Sequence, residues 1–168
     1  MEPRAAIIQS GFDIAHMVFN AVVADLEDQA ATYRIGNVPS VAAIFAHAIY
    51  GEDMMVGQAN GAPMLLESGD WRGRTGITIV SPGMTPEWLA LKLNVGGLKQ
   101  YGEAVFARTG AFLLSATAAD FDRTVRSPMG QDITVGAFLN SFGLVHISEH
   151  AGEISALKGA QGLKGLPF

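Results

Sequence analysis

Apolar side chains recur every three or four residues through four long stretches of this chain, and this spacing most constrains its fold. Along residues 12–33, Phe12, Phe19 and Leu26 share one face, which is the pattern of an amphipathic helix packed against a core. The same reasoning predicts a second helix at about residues 40–58, a third from Thr85 to about residue 117, and a fourth from Thr134 to Gly159. The chain is therefore predicted to be all-α.

The connection between the second and third predicted helices is unusually long. Residues 59–84 are rich in Gly and Pro, and only the segment from Ile77 to Val80 has the composition of an extended strand. A connection of this length is typical of an overhand crossover in a bundle. We therefore predict a four-helix bundle in up-down-down-up order, with the crossover between helices two and three. A length of 168 residues fits a single domain spanning residues 1–168.

The composition excludes several classes of protein and of site. The hydrophobic fraction is 49%, the net charge is −5 and Cys is absent. A negative chain without basic clusters is not expected to bind nucleic acid. Without Cys there is no disulfide framework, no thiolate zinc site and no iron–sulfur cluster, so a metal would need His and carboxylate ligands. The sequence shows neither a leader pattern nor an apolar run long enough to span a membrane, so the expected location is the cytoplasm.

Three of the four histidines lie on apolar helix faces. His146 and His150 are four residues apart in the middle of the apolar stripe of the fourth helix, and His47 shares a face with Met54 on the second. A buried imidazole without a partner costs about 1–3 kcal/mol, so three of them need a common explanation. We expect one shared divalent metal ion, with a coordination position left open. The alternative is a dry network of hydrogen-bonded histidines.

Four further titratable residues bear on the chemistry of this cluster. His146 to His150 spells H-x-x-E-H, but Glu149 is off the axis of the two histidines and is expected to be a flanking or exposed acid. Glu153 is better aligned and is the candidate for accepting a hydrogen bond from a ligating imidazole. His16 is expected at the surface or boundary, near the end of the bundle away from His47. Glu27 is expected to face solvent.

The sequence resembles the DinB-like family. The resemblance rests on His47, the segment from Asp120 to Gly130, the motif Val145 to Ile154 and the ending Leu157 to Phe168. It implies that His47, His146 and His150 bind a divalent metal, zinc or nickel. It also implies an activity like that of the thiol-dependent transferases in the family, although some members have no known activity.

These observations lead to three functional hypotheses. The first is a metal-dependent enzyme acting on a small molecule, with a low-molecular-weight thiol as the substrate of a transferase, or else a metal-dependent hydrolase. The second is a non-catalytic metal-binding module. The third is a ligand-binding bundle with the dry histidine network.

The C-terminal tail suggests an assembly. Leu163, Leu166 and Phe168 are separated by Gly and Pro, so an extended path is expected. These apolar residues need a surface to cover. Either the tail folds back along its own bundle or it packs against a second copy, and we favour a homodimer of twofold symmetry.

Overall fold

The computed structural model describes residues 2–81 and 83–168, and its helices confirm the all-α prediction. In chain order they are α1 (Pro3–Val23), α2 (Asp28–Ala31), α3 (Val41–Asn60), α4 (Trp71–Thr75), α5 (Pro86–Leu89), α6 (Val95–Ser115), α7 (Ala118–Asp122), α8 (Val135–Phe138) and α9 (Leu144–Ala160). The four long helices α1, α3, α6 and α9 form the bundle. α1 packs against α6 and α9, and α3 packs against the same two helices.

Helix α1 begins and ends earlier than the predicted range of residues 12–33. Pro3 is the first helical residue, and the carboxylate of Glu2 caps the helix. At the other end, Lys158 Nζ and Lys99 Nζ donate to backbone carbonyls 2.6 Å and 2.8 Å away. These two ammonium groups, from α9 and α6, form the hydrogen bonds that backbone amides would form in a further turn of α1. The helix therefore stops, and α2 is a separate short helix.

The long third helix of the bundle is α6, which does not begin at Thr85 as predicted. Thr85 does cap a helix, but this is the four-residue α5. Trp88 of α5 is fully buried, and its indole N–H donates to the carbonyl of Ala43, 3.3 Å away. Asn94 then donates its amide to Thr75 and caps α6. The tertiary contacts of Trp88 and Asn94 hold this segment out of a continuous helix.

The fourth predicted helix begins at Thr134 as expected and has three parts. Thr134 caps α8, the π-helical turn Leu139–Gly143 follows, and α9 completes it. Just before it lies a hairpin that the sequence analysis missed. Its antiparallel strands are β1 (Thr124–Arg126) and β2 (Asp132–Thr134). The segment from Ile77 to Val80, predicted to be extended, forms no strand.

Side-chain contacts define the relative directions of the long helices. Phe19 packs on Phe45, and His16 bonds Glu52, so α1 and α3 run in opposite directions. Lys99 near the start of α6 reaches the end of α1, so these two helices are also antiparallel. Helices α3 and α6 are therefore parallel, as the long crossover between them requires.

Asp53 joins the crossover to the bundle. This fully buried carboxylate accepts hydrogen bonds from the backbone amides of Leu65 and Leu66, each 3.0 Å away. It also accepts from the Tyr101 hydroxyl at 2.6 Å and from Arg108 at 2.9 Å. Burial and the adjacent carboxylate raise the pKa of Tyr101, which keeps its hydroxyl a donor. Asp53 thus links the crossover, α3 and α6. The hydrogen-bonding capacity of its buried carboxylate is satisfied by these partners.

The C-terminal tail turns back along its own bundle. Gln161 donates to the Ala30 carbonyl, and Gly165 lies so close to Ser155 of α9 that a Cβ would clash. Leu163 and Leu166 are partly covered, whereas Phe168 is 88% exposed. As far as Gly165, the tail therefore folds back along its own bundle, which is the first of the two paths expected from the sequence.

Gly97 allows α6 to approach α4 closely, and this yields a test of the fold. A Cβ at Gly97 would overlap the backbone carbonyl of Arg74, whereas one at Gly96 has only a side-chain oxygen 3.4 Å away. We predict that Gly97→Ala lowers the free energy of unfolding by about 1–3 kcal/mol. The matched Gly96→Ala variant should stay within about 0.5 kcal/mol of the parent protein. Urea unfolding measures both, and equal effects would contradict this account.

Candidate metal centre

Helices α3 and α9 bring together His47, His146 and His150. The two helices are antiparallel, since Gly51 of α3 lies against His146 and His47 lies against His150. The two α9 histidines are one turn apart and project from the same face. The structure therefore gathers all three histidines predicted as ligands at one point between the helices, where they could hold a metal ion.

The three Nε2 atoms converge. His146 Nε2 is 3.2 Å from His47 Nε2 and 3.2 Å from His150 Nε2. Nitrogen ligands about 2.0–2.1 Å from one tetrahedral ion are about 3.3 Å apart. The observed spacing therefore matches three imidazoles arranged around a common cation.

Hydrogen bonding alone does not satisfy this arrangement. An imidazole nitrogen either carries one proton or offers one lone pair, so His146 Nε2 can serve only one of its two neighbours. Because each of the three converging nitrogens has only these two states, at least two of them face the centre with like groups, two lone pairs or two protons. A cation at the centre accepts all three lone pairs at once, which favours a metal site over the dry histidine network.

The contacts behind the ligating atoms differ among the three rings. His150 Nδ1 is 2.6 Å from a carboxylate oxygen of Glu153, the acid considered from the sequence for this contact. Donation from Nδ1 to this carboxylate leaves the lone pair on Nε2, facing the cluster. The Nδ1 atoms of His47 and His146 are buried, with no hydrogen-bond partner among residues 2–81 and 83–168.

Burial keeps two of the histidines neutral. Burial, followed by repulsion from His150, lowers the pKa of His47 to about 4. The same causes, with a further contribution from His47, lower the pKa of His146 to about 3. Both rings are therefore uncharged at pH 7, the form in which imidazole binds metals.

Gly51 provides the space for His146. A Cβ at this position would overlap Cε1 of the His146 ring and lie 3.0 Å from its Nε2. The imidazole therefore packs directly on the backbone of α3. The sequence gives no signal for this role of Gly51, because the contact depends on how closely α9 approaches.

This packing leads to a prediction for Gly51→Ala. The added methyl group should displace the His146 ring and lower divalent-metal affinity by at least about tenfold, comparable to the loss of an outer-shell contact. Gly152→Ala is the matched control, since a Cβ at this exposed α9 position meets nothing within 4 Å. Metal titration followed by calorimetry compares the two variants. Unchanged affinity in Gly51→Ala would show that the close packing is not required.

A cleft of about 440 Å³ opens beside the cluster, with His47 and His146 in its wall. Tyr50, Met54, Met55 and Phe138 also line it, and the hairpin contributes Arg126 to its wall. A small molecule can therefore reach the histidines through a mainly apolar passage, as is usual for small-molecule sites.

The remaining candidate residues lie outside the cluster. Glu149 and Glu27 are exposed, as expected from the sequence. His16 is a boundary residue outside the cluster, as predicted, but it lies level with the middle of α3 and not at the far end of the bundle, since its ring bonds the fully buried Glu52, 2.9 Å away. A buried carboxylate requires partners, and His16, together with Thr109 at 2.5 Å, provides them.

Comparisons with known proteins agree with the fold. The family model described as the DinB superfamily matches residues 12–154. A solved structure described as a conserved protein from Enterococcus faecalis is similar, with a TM-score of 0.79, 18% sequence identity and coverage of 94% of this chain and 96% of that chain. No curated protein matches the sequence significantly.

Proposed function

Because the chain belongs to the DinB superfamily, we propose that it is a metal-dependent enzyme acting on a small molecule. His47, His146 and His150 are the proposed ligands of one divalent ion. The observation that carries this proposal is the convergence of three Nε2 atoms, which hydrogen bonds between the rings cannot all satisfy at once. Neutral imidazoles suit zinc or nickel, and these are the proposed metals.

Glu153 is proposed to position His150. Its carboxylate holds Nδ1–H of the ring, which directs the Nε2 lone pair to the ion and makes the imidazole a better donor. Glu153 is half-exposed, so it can fulfil this role without the cost of a fully buried charge.

The cleft suits a substrate that has an apolar body and a neutral or negative reactive group. Met54, Met55 and Phe138 can cover the apolar part and exclude water from it. No carboxylate lines the described part of the cleft. A divalent ion held by three neutral ligands supplies uncompensated positive charge and Lewis acidity, which lower the pKa of a bound thiol or water.

Thiol transfer is the reaction we favour over hydrolysis. Hydrolysis on an H-x-x-E-H site would use Glu149 as the general base, but this side chain is exposed on α9. A thiol has an ordinary pKa of about 8.5, far below that of water, so a small lowering makes it the nucleophile without such a base. Hydrolysis and a non-catalytic metal-binding module remain the alternative functions.

The remaining parts of the proposal concern partners and location. We propose a low-molecular-weight thiol as a substrate, no nucleic-acid or membrane partner, and a homodimer in the cytoplasm. The net charge of −5 supports the exclusion of nucleic acid.

Metal content tests the proposed ligands. Protein purified without a metal-affinity column should contain about one divalent ion per chain by elemental analysis. His146→Ala should lose most of it, and Glu153→Gln should weaken metal binding about 10–100-fold. Glu149→Gln, on the same helix but exposed, is the matched control and should bind normally. Full metal content in His146→Ala would refute the ligand assignment.

Activity assays test whether the protein is a metal-dependent enzyme. Metal-free protein should not transfer small thiols to epoxides or alkyl halides, and added zinc or nickel should restore the activity. His146→Ala should stay inactive with added metal, whereas Glu149→Gln should be fully active. If a panel of thiols and esters gives no metal-dependent turnover while the metal binds, the protein is a binding module. Ester cleavage alone would identify a hydrolase.

A further inference from the structure

The cleft beside the histidine cluster has an order along α3. His47, Gly51, Met54 and Gln58 all line it, and they follow one another at steps of three or four residues, about one helical turn each. His146 packs against Gly51, so the histidines occupy one end of this row. Gln58 lies roughly 10 Å further along the helix axis than Gly51. A molecule that fills the cleft therefore contacts the histidines with one end and the surroundings of Gln58 with the other.

The hairpin supplies polar groups at this second end. Gln58 Nε2 donates to the backbone carbonyl of Arg126, 2.8 Å away, which holds the hairpin against α3. Arg126 and Ser127 both line the cleft. Ser127 is 4% exposed, and its Oγ accepts from the Gln131 amide at 3.1 Å. A hydroxyl that accepts in this way still has its own proton to donate.

Arg126 makes this end of the cleft selective for charge. Among the residues that the structure describes, it is the only Arg or Lys of the cleft wall, and no carboxylate lines that wall. Its Nη1 is 3.2 Å from Asp132 on the other strand, with both side chains more than 60% exposed. Exposed pairs of this kind contribute little to stability, and one contact leaves most of the five guanidinium N–H donors free. A carboxylate that accepts two of them forms a stronger contact.

We propose that the hairpin end of the cleft binds a carboxylate of the substrate, with the Arg126 guanidinium and the Ser127 hydroxyl as donors. This inference rests on the proposed function and narrows its substrate to an elongated thiol with an apolar chain and a terminal carboxylate. The thiol lies at the histidines, and the chain runs past Met54. An extended chain advances about 3.3–3.6 Å for every three bonds, so about eight or nine bonds span the row.

The charge at this end fits a carboxylate better than a phosphate. A phosphate monoester has about two negative charges at pH 7, and phosphate sites usually combine several donors with more than one positive group. Here one guanidinium, already in contact with Asp132, balances a single negative charge. The planar fork of the guanidinium also matches the two oxygens of a carboxylate.

Two thiols that differ only in their far end test this subsite. Calorimetry measures the dissociation constants of 8-mercaptooctanoate and 8-mercapto-1-octanol with the zinc-loaded and the metal-free protein. The parent protein should bind the acid at least about tenfold more tightly than the alcohol in both forms, as expected for hydrogen bonds to a charged group.

Changes on the hairpin should shift only the binding of the acid. Arg126→Gln should remove the preference for the acid and leave the affinity for the alcohol unchanged. Asp132→Asn should bind the acid at least as tightly as the parent protein, and up to about fivefold more tightly, because it removes a competing carboxylate. Arg34→Gln is the matched control, since it removes an exposed cation outside the cleft, and should bind both thiols normally.

Several outcomes would overturn the proposal. They are equal affinities for the two thiols in the parent protein, no binding of either thiol, a preference for the acid that survives Arg126→Gln, and weaker binding of the acid by Asp132→Asn. A preference that requires zinc and is indifferent to Arg126→Gln would assign the carboxylate to the metal.

The zinc dependence of binding separates this subsite from the proposed function. Both thiols should bind the zinc-loaded protein more tightly than the metal-free protein if the thiol reaches the metal. A preference for the acid that depends on Arg126, without any gain from zinc, would support the subsite and contradict thiol binding at the metal. A gain from zinc with equal affinities for the two thiols would do the reverse.

Discussion

One buried carboxylate stabilises the order and the directions of the helices in the bundle. Asp53 on α3 accepts the first amides of the Leu65–Glu67 turn, the Tyr101 hydroxyl and the Arg108 guanidinium. These bonds attach the long crossover to α3 and to α6 at one point. Because the crossover returns the chain to the same end of the bundle, α3 and α6 run parallel. The last helix is then antiparallel to α3, and this direction places His47 beside His150.

The histidine cluster depends on this arrangement and on a missing side chain. The His146 ring of α9 packs against the α3 backbone at Gly51, in the space that a Cβ would fill. There its Nε2 faces two other Nε2 atoms at equal distances. A neutral protein interior does not satisfy such a set of donors and acceptors, because one nitrogen cannot form two of these bonds. The same convergence that is unfavourable for hydrogen bonding is well suited to a cation.

Helix α1 has a buried face and an exposed face of different composition. Phe12 and Phe19 point into the core, where they are fully or almost fully buried. Ile7 and Ile14 point away from it and are exposed. The exposed side also has Ser10, Asp13 and Asn20, so α1 is apolar on its core side and mixed on its outward side.

The sequence by itself determined the kind of fold and the residues of the candidate site. The helical spacing of apolar residues was sufficient for an all-α chain, and the position of His146 one turn before His150 was sufficient to place both on one face. Glu153 was also identified from its alignment with these histidines. Such features depend on local geometry, which repeats along a helix whatever the rest of the chain does.

The tertiary structure decided where the helices end and which side chains face one another between helices. Lys158 and Lys99 end α1, Trp88 and Asn94 delay the start of α6, and the buried Glu52 draws His16 inward. Gly51 acquired its role in the same way, from the close approach of α9. Each of these outcomes depends on a partner distant in sequence. Local spacing contains no information about such partners, because the contact forms only when the helices pack together.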